Sequence, residues 1–168
     1  REVLAHEREE LPRRQVEGDV GLSVRVDHDH VERPGRRAQP RSRIGGVRAL
    51  RALDIRPTVW HINEGHAAFQ ILERVRDHVG IGLDFAAALE SVAANTVFTT
   101  HTAVPAGHDH FAEDMMTRYF ESYYPDLKAN RDEFLALGRT PDGGDFNMTA
   151  LAIRGSRFHN GVSRIHGD

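Results

Sequence analysis

The sequence of 168 residues contains no cysteine, which excludes a disulfide framework and any metal site built from thiolates. Lysine is almost absent, since Lys128 is the only one. Acidic residues outnumber basic ones by 25 to 22, so the chain carries no basic excess with which to bind nucleic acid through its phosphates. No apolar run reaches about 18 residues, the length that predicts a membrane-spanning helix.

Residues 1–43 differ in pattern from the rest of the chain. Charged residues are scattered without a sustained period, and proline, glycine and arginine crowd positions 32–43. The alternation of apolar residues from Val20 to Val26 allows one short strand. We expect residues 1–43 to be poorly structured or unrelated to residues 44–168. The sequence begins without methionine, and we expect it to be a fragment of a longer protein.

From Ile44 onward, helical and strand patterns alternate, which is typical of an α/β protein. The patterns predict helices at 46–53, 68–79 and 85–94, with strands at 58–62 and 96–100. Strand, two helices and strand form a right-handed parallel crossover if both strands share a sheet. On the 68–79 helix, the spacing predicts an exposed polar face that carries Glu73, Arg74, Arg76 and Asp77.

The second half of the chain is predicted to be rich in helices. One helix covers about 111–124, ends at Pro125 and places an aromatic and methionine stripe in the core. Asn130 and Glu133 match a capping box for a helix at 131–137, and Asn147 can cap a further helix to 153.

Polar side chains follow both predicted strands at the point where each strand ends. Asn63, Glu64 and His66 follow the first strand, and His101 with Thr102 follows the second. Carboxyl ends of parallel strands are where α/β proteins bind ligands, and these side chains suit a neutral polyhydroxyl ligand such as a sugar. The alternatives are structural, with Asn63 and Glu64 capping the next helix and His101 making its hydrogen bonds inside a loop.

A metal site is the other chemistry that the histidines allow. His61, His66, His101, His108 and His110 lack the spacing of two histidines four apart with a neighbouring carboxylate. The cluster Asp27-His-Asp-His30 has no second ligand group. We therefore expect no metal.

Four strings in this order resemble the α-glucan phosphorylases, the family of glycogen and maltodextrin phosphorylase, and the match is closest to the bacterial branch. They are Val59-Trp-His-Ile-Asn-Glu-Gly-His-Ala-Ala-Phe69, Thr96-Val-Phe-Thr-Thr-His-Thr-Ala-Val-Pro-Ala-Gly-His108, Phe146-Asn-Met-Thr-Ala-Leu-Ala152 and Asn160-Gly-Val-Ser-Arg-Ile-His166. The resemblance runs from about Ile44 to the last residue and does not extend into residues 1–43.

The resemblance implies that residues 44–168 are part of the N-terminal domain of a two-domain, GT-B type glycosyltransferase, with a Rossmann-like parallel sheet. It implies phosphorolysis of α-1,4-glucan ends to glucose 1-phosphate, with glucan and phosphate as partners, a cytoplasmic location and a homo-oligomer at full length. His101 matches the catalytic histidine that contacts the transferred glucosyl unit. Asn63, Glu64, His66 and Thr102 then line the substrate pocket, although Glu64-Gly65 replaces the Asp-Thr of the animal enzymes.

The cofactor implied by the resemblance is pyridoxal phosphate. The family's Schiff-base lysine belongs to a C-terminal domain that this sequence does not include, and Lys128 matches no such motif. We therefore expect no cofactor to bind to this chain, and we expect the isolated chain to be inactive. Two other functions stay open: a nucleotide-sugar glycosyltransferase similar to glycogen synthase, and a non-catalytic carbohydrate-binding module.

Overall fold

The structure is a computed structural model that describes residues 45–102, 104 and 108–163, together with the backbone of 23–26. Its main sheet has four parallel strands in the spatial order β1-β2-β3-β6. These strands are β1 (Ser23–Val26), β2 (Val59–Asn63), β3 (Thr96–Thr100) and β6 (Phe158–Gly161). Two short strands, β4 (His110–Phe111) and β5 (Phe146–Asn147), form a separate antiparallel pair.

Seven α-helices and two 3₁₀ turns make up the remaining described elements. The helices are α1 (Gly45–Ala52), α2 (Phe69–Gly80), α3 (Phe85–Ala94), α4 (Glu113–Phe120), α5 (Tyr124–Leu127), α6 (Arg131–Ala136) and α7 (Met148–Arg154). The 3₁₀ turns are Gly65–Ala67 and Glu121–Tyr123. Within the described ranges, none of these helices has both the length and the apolar character needed to span a membrane.

The parallel pairing predicted for the first two strands is confirmed. Chain order runs β2, α2, α3, β3, and β2 pairs with β3 in parallel, with Asn63 opposite Thr99. Asp84 begins α3 as a cap, because its side chain accepts the Ala87 N–H at 2.8 Å. The parallel register places the carboxyl ends of β2 and β3 side by side.

The main core lies between the sheet and α2, α3 and the C-terminal helices. Ile62 of β2 and Phe98 of β3 are neighbours in register, and both are buried with Leu72 of α2. An aromatic cluster extends this core, since the Phe69 ring lies 5.1 Å from the Phe120 ring between centroids. Phe69 therefore anchors the first turn of α2, next to the predicted site.

The single helix predicted at 111–124 is wrong in its bounds. Phe111 belongs to β4, α4 ends at Phe120, and a 3₁₀ turn leads into α5. Pro125 does not stop a helix but lies in the first turn of α5, where a missing N–H leaves no helical hydrogen bond unmade. The predicted core stripe is confirmed at Met116 and Phe120, which are fully buried.

The prediction that Glu73 and Arg74 are exposed is also wrong. Glu73 is fully buried and accepts hydrogen bonds from Arg48, Arg76 and Tyr123. Arg74 lies 4.6 Å above the Trp60 ring, and burial lowers the pKa of its guanidinium to about 9. Helical spacing identified the face correctly as polar. It could not show that α1 and the 3₁₀ turn before α5 cover Glu73, or that β2 and α3 cover Arg74.

The helix caps predicted in the second half of the chain are confirmed. Asn130 and Glu133 form a reciprocal capping box at the start of α6. Asn147 accepts the Ala150 N–H at 3.0 Å and begins α7. The short strand allowed by the alternation near Val26 is present as β1, whereas the Asp27–His30 cluster and the 105–107 turn lie outside the described residues.

Candidate functional site

The carboxyl ends of β2 and β3 bring together the side chains that the sequence singled out. Asn63 is the last residue of β2, and the 3₁₀ turn that follows contains His66. His101 and Thr102 follow directly after β3. His101 is exposed, and Asn63, His66 and Thr102 are partly buried, so none of the four is sealed in the apolar core.

Glu64 joins the two strand ends to each other. Its backbone N–H donates to the Thr99 carbonyl at 3.0 Å, and its Oε1 accepts the backbone N–H of His101. Its φ of 63° and ψ of 165° lie in a region that residues other than glycine rarely adopt. Glu64 makes no side-chain capping bond to the following turn, so the alternative role as a cap is wrong for this residue.

Gly65 allows the turn after β2 to press against the start of α7. A Cβ placed on Gly65 would lie 2.9 Å from Thr149 Oγ1 and 3.0 Å from the Thr149 backbone nitrogen. The same Thr149 hydroxyl lies 2.8 Å from His108 Nδ1. Thr149 was not recognised from the sequence, and His108 was considered there only as a metal ligand. Gly65 between two polar residues was the signal of a close approach.

Two acceptor oxygens at this edge are buried without a hydrogen-bond partner in the described part of the chain. They are Asn63 Oδ1 and Glu64 Oε2. A buried acceptor left unpaired costs about 1–3 kcal/mol, so such atoms in a native site are normally met by water or by a ligand. Both atoms can accept hydrogen bonds from hydroxyl groups.

A row of hydrogen bonds crosses the sheet beside the site. The Thr99 hydroxyl donates to Asn160 Oδ1 at 2.6 Å, and His61 Nε2 lies 2.5 Å from the same hydroxyl oxygen. Since the hydroxyl proton is used toward Asn160, His61 Nε2 must be the donor to Thr99. This row ties β2, β3 and β6 together, and the sequence could not predict it because β6 was not recognised as a strand.

Metal and cofactor chemistry find no support in the described residues. Within 45–102 and 108–163, no group of three or more potential ligands gathers as a metal site would require. Lys128 is exposed and has a left-handed backbone conformation at the end of α5. It lies beside Arg76 and Gly80, at the end of α2 that is far from His101. Because the sequence contains no other lysine, the residues present do not fit a pyridoxal phosphate Schiff base.

Two clefts in the described structure lie at opposite ends of the parallel strands. One of about 330 Å³ is lined by His108, Asn147 and Thr149, and so adjoins the turn after β2. Another of about 730 Å³ lies at the amino ends of β2 and β3 and is lined by Trp60 and Arg74 among others. Neither cleft is lined by the predicted site residues, which are Asn63, Glu64, His66, His101 and Thr102. Since parallel α/β sheets bind ligands at the carboxyl ends of their strands, we place the candidate site at the carboxyl edge.

Comparison with curated proteins gives the same family as the sequence strings. The maltodextrin phosphorylase of Thermococcus litoralis is 47% identical over 123 residues, which cover 73% of this chain and 14% of that protein. The glycogen phosphorylase of Mycobacterium tuberculosis is 44% identical over 136 residues, covering 74% and 16%. The chain is a homologue of one segment of the α-glucan phosphorylases.

The relationship extends to more distant phosphorylases. The glycogen phosphorylase of Aquifex aeolicus is 31% identical over 128 residues, which are 73% of this chain and 18% of that protein. No protein-family model matches the chain. The chain thus spans about 15% of the length of these phosphorylases, and its parallel α/β sheet is what a segment of such a glycosyltransferase supplies.

Proposed function

We propose that this chain forms one wall of the glucosyl site of an α-glucan phosphorylase, an enzyme that cleaves α-1,4-glucan ends with phosphate to give glucose 1-phosphate. The observation that carries the proposal is the pair of unpartnered acceptors, Asn63 Oδ1 and Glu64 Oε2, at the carboxyl edge of a parallel sheet. Sugar hydroxyls are donors that can satisfy both. The homology to phosphorylases supports the same reaction.

In this proposal His101 is the catalytic residue. Its exposed side chain contacts the glucosyl unit, and its main-chain carbonyl faces the anomeric carbon. That carbon gains positive charge as the glycosidic bond breaks, and a fixed dipole aimed at the charge lowers the barrier. His66 and Thr102 complete the wall of the pocket with further polar groups.

The remaining parts of the reaction lie beyond this chain. We propose that the segment belongs to the N-terminal half of a GT-B type enzyme, with pyridoxal phosphate and the phosphate-binding cations supplied by other parts of the full-length protein. The chain alone, incubated with maltodextrin, phosphate and pyridoxal phosphate, should release no glucose 1-phosphate. Turnover that disappears in His101→Ala would contradict this expectation.

A hybrid enzyme tests the site itself. The matched segment of the Mycobacterium tuberculosis glycogen phosphorylase is replaced by the segment from this chain, and release of glucose 1-phosphate is measured. We expect an active hybrid in which His101→Ala lowers kcat/KM by about 10²- to 10³-fold, because the variant keeps the main-chain carbonyl but loses the side-chain contact with the glucosyl unit, a loss typical of one preorganised hydrogen-bonding group.

The matched control in the hybrid is His78→Ala, which alters a histidine in the last turn of α2 at the opposite edge of the sheet. We expect this control to retain the activity of the hybrid. If His101→Ala and His78→Ala have equal effects, His101 is not the catalytic residue.

A further inference from the structure

Glu64 makes hydrogen bonds to the ends of both neighbouring strands, which a residue that served only as a sugar contact would not need. One carboxylate oxygen is occupied by the His101 backbone N–H, and the backbone N–H of Glu64 is occupied by Thr99. The residue therefore spans from the end of β2 to the first residue after β3. Only its second oxygen, Oε2, is without a partner among the described residues.

The backbone of Glu64 is held in a conformation that costs stability. A φ of 63° with a ψ of 165° is accessible almost only to glycine, and such residues persist where surrounding contacts fix them. Here the fixing contacts are the Thr99 carbonyl on one side and the close packing of Gly65 against Thr149 on the other. A glycine at this position would adopt the same backbone without strain but could not reach His101.

We propose that Glu64 is a positioning residue whose carboxylate fixes the main chain of His101 relative to β2, which goes beyond a role as one more substrate contact. The proposal rests on the proposed function only in treating His101 as catalytic. The contact ties the chain after β3 to the residue that leads directly into the turn carrying His66. The hydrogen bond therefore holds the polar residues after β2 and those after β3 in a fixed arrangement relative to each other.

The test measures backbone hydrogen exchange in the ligand-free 168-residue chain by NMR. In Glu64→Gly, the His101 amide should exchange about 10- to 100-fold faster than in the parent chain, as expected for the loss of one hydrogen bond to a charged acceptor. Resistance to urea should stay equal or rise, because the backbone strain is gone. Glu64→Gln keeps an acceptor oxygen and should restore most of the protection of His101.

The matched control is Glu121→Gly, which alters an exposed glutamate in the turn after α4. It should leave the exchange rate of the His101 amide unchanged. Unchanged exchange at His101 in Glu64→Gly would overturn the proposal. So would equal exchange in the Gln and Gly variants, or loss of protection across the whole chain in Glu64→Gly. Because no glucan is present, the result does not depend on whether the chain binds one.

A second measurement separates positioning from sugar binding in the hybrid enzyme. Positioning predicts that Glu64→Gln retains several-fold more kcat than Glu64→Gly, because glutamine still holds His101. If both variants raise KM equally and leave kcat unchanged, Glu64 acts as a substrate contact and the positioning role is wrong.

Discussion

The substitution Glu73→Gln tests the interpretation of the buried charge cluster that joins α1, α2 and the turn before α5. Glu73 is fully buried, and its two oxygens accept hydrogen bonds from Arg48 at 2.9 and 3.1 Å. Arg76 donates to it at 2.6 Å, and the Tyr123 hydroxyl is a further donor. Glutamine has nearly the same shape but carries no charge and only one acceptor oxygen.

The expected loss of unfolding free energy depends on how exposed the hydrogen-bond partners of Glu73 are. Removing one member of a fully buried ion pair costs about 3–5 kcal/mol. The side chains of Arg48 and Arg76 are 51% and 29% exposed, so their guanidinium groups can be hydrated when the carboxylate is lost. We therefore expect Glu73→Gln to lower the free energy of unfolding by about 2–3 kcal/mol at pH 7.

The pH dependence provides a second signature of the same cluster. Burial alone raises the pKa of Glu73, but the hydrogen bonds from Arg48, Tyr123 and Arg76 prevail and bring this pKa below its ordinary value of 4.5. A lowered folded pKa means that the stabilisation is present above the unfolded pKa and is lost as pH falls through the folded pKa. The difference between parent and variant should therefore shrink in acid below about pH 4.5.

Urea unfolding followed by circular dichroism measures both effects at a series of pH values. The control is Asp77→Asn, because Asp77 is 38% exposed and is paired with Arg51, so it should cost less than about 1 kcal/mol. A loss below about 0.5 kcal/mol in Glu73→Gln, or a difference that grows in acid, would refute the reasoning.

Two further predictions concern packing and capping. Gly155→Ala should lower the free energy of unfolding by about 1–3 kcal/mol in urea titrations, because its Cβ would lie 2.4 Å from Ile71 Cδ1. Gly80→Ala, where nothing lies within 4 Å, should be close to neutral, and equal effects would contradict the packing argument. Asn130→Ala should cost about 0.5–2 kcal/mol through loss of the capping box with Glu133, and an unchanged urea midpoint would count against it.

The sequence predicted the part of the fold that depends on local pattern. Asp84 and Asn147 begin helices where predicted because a cap needs only residues within one turn. The strand Thr96–Thr100 was predicted with its observed bounds, since β-branched and aromatic residues dominate it. The short strand β6 was missed because Phe158–Gly161 carries no such signal and is formed by pairing with β3.

The candidate site was likewise predicted from the sequence only in part. The polar types after each strand, at Asn63 and His101, could be found by reading along the chain. The contact from Glu64 to the His101 backbone joins residues 37 positions apart and appears only when β2 and β3 lie in register. The role of Gly65 likewise depends on Thr149, which lies far along the chain.

The amino-acid sequence alone established which residue types stand at the ends of the strands. It also established that cysteine is absent and that the single lysine matches no Schiff-base motif. The three-dimensional fold determined which of those groups are buried and which groups they bond to. Caps and periods depend on near neighbours along the chain, whereas burial and pairing depend on segments that the fold brings together. For that reason Glu73, which the sequence pattern placed on an exposed face, is buried among hydrogen-bond donors. Glu64, predicted as a sugar contact, accepts a hydrogen bond from the backbone N–H of His101.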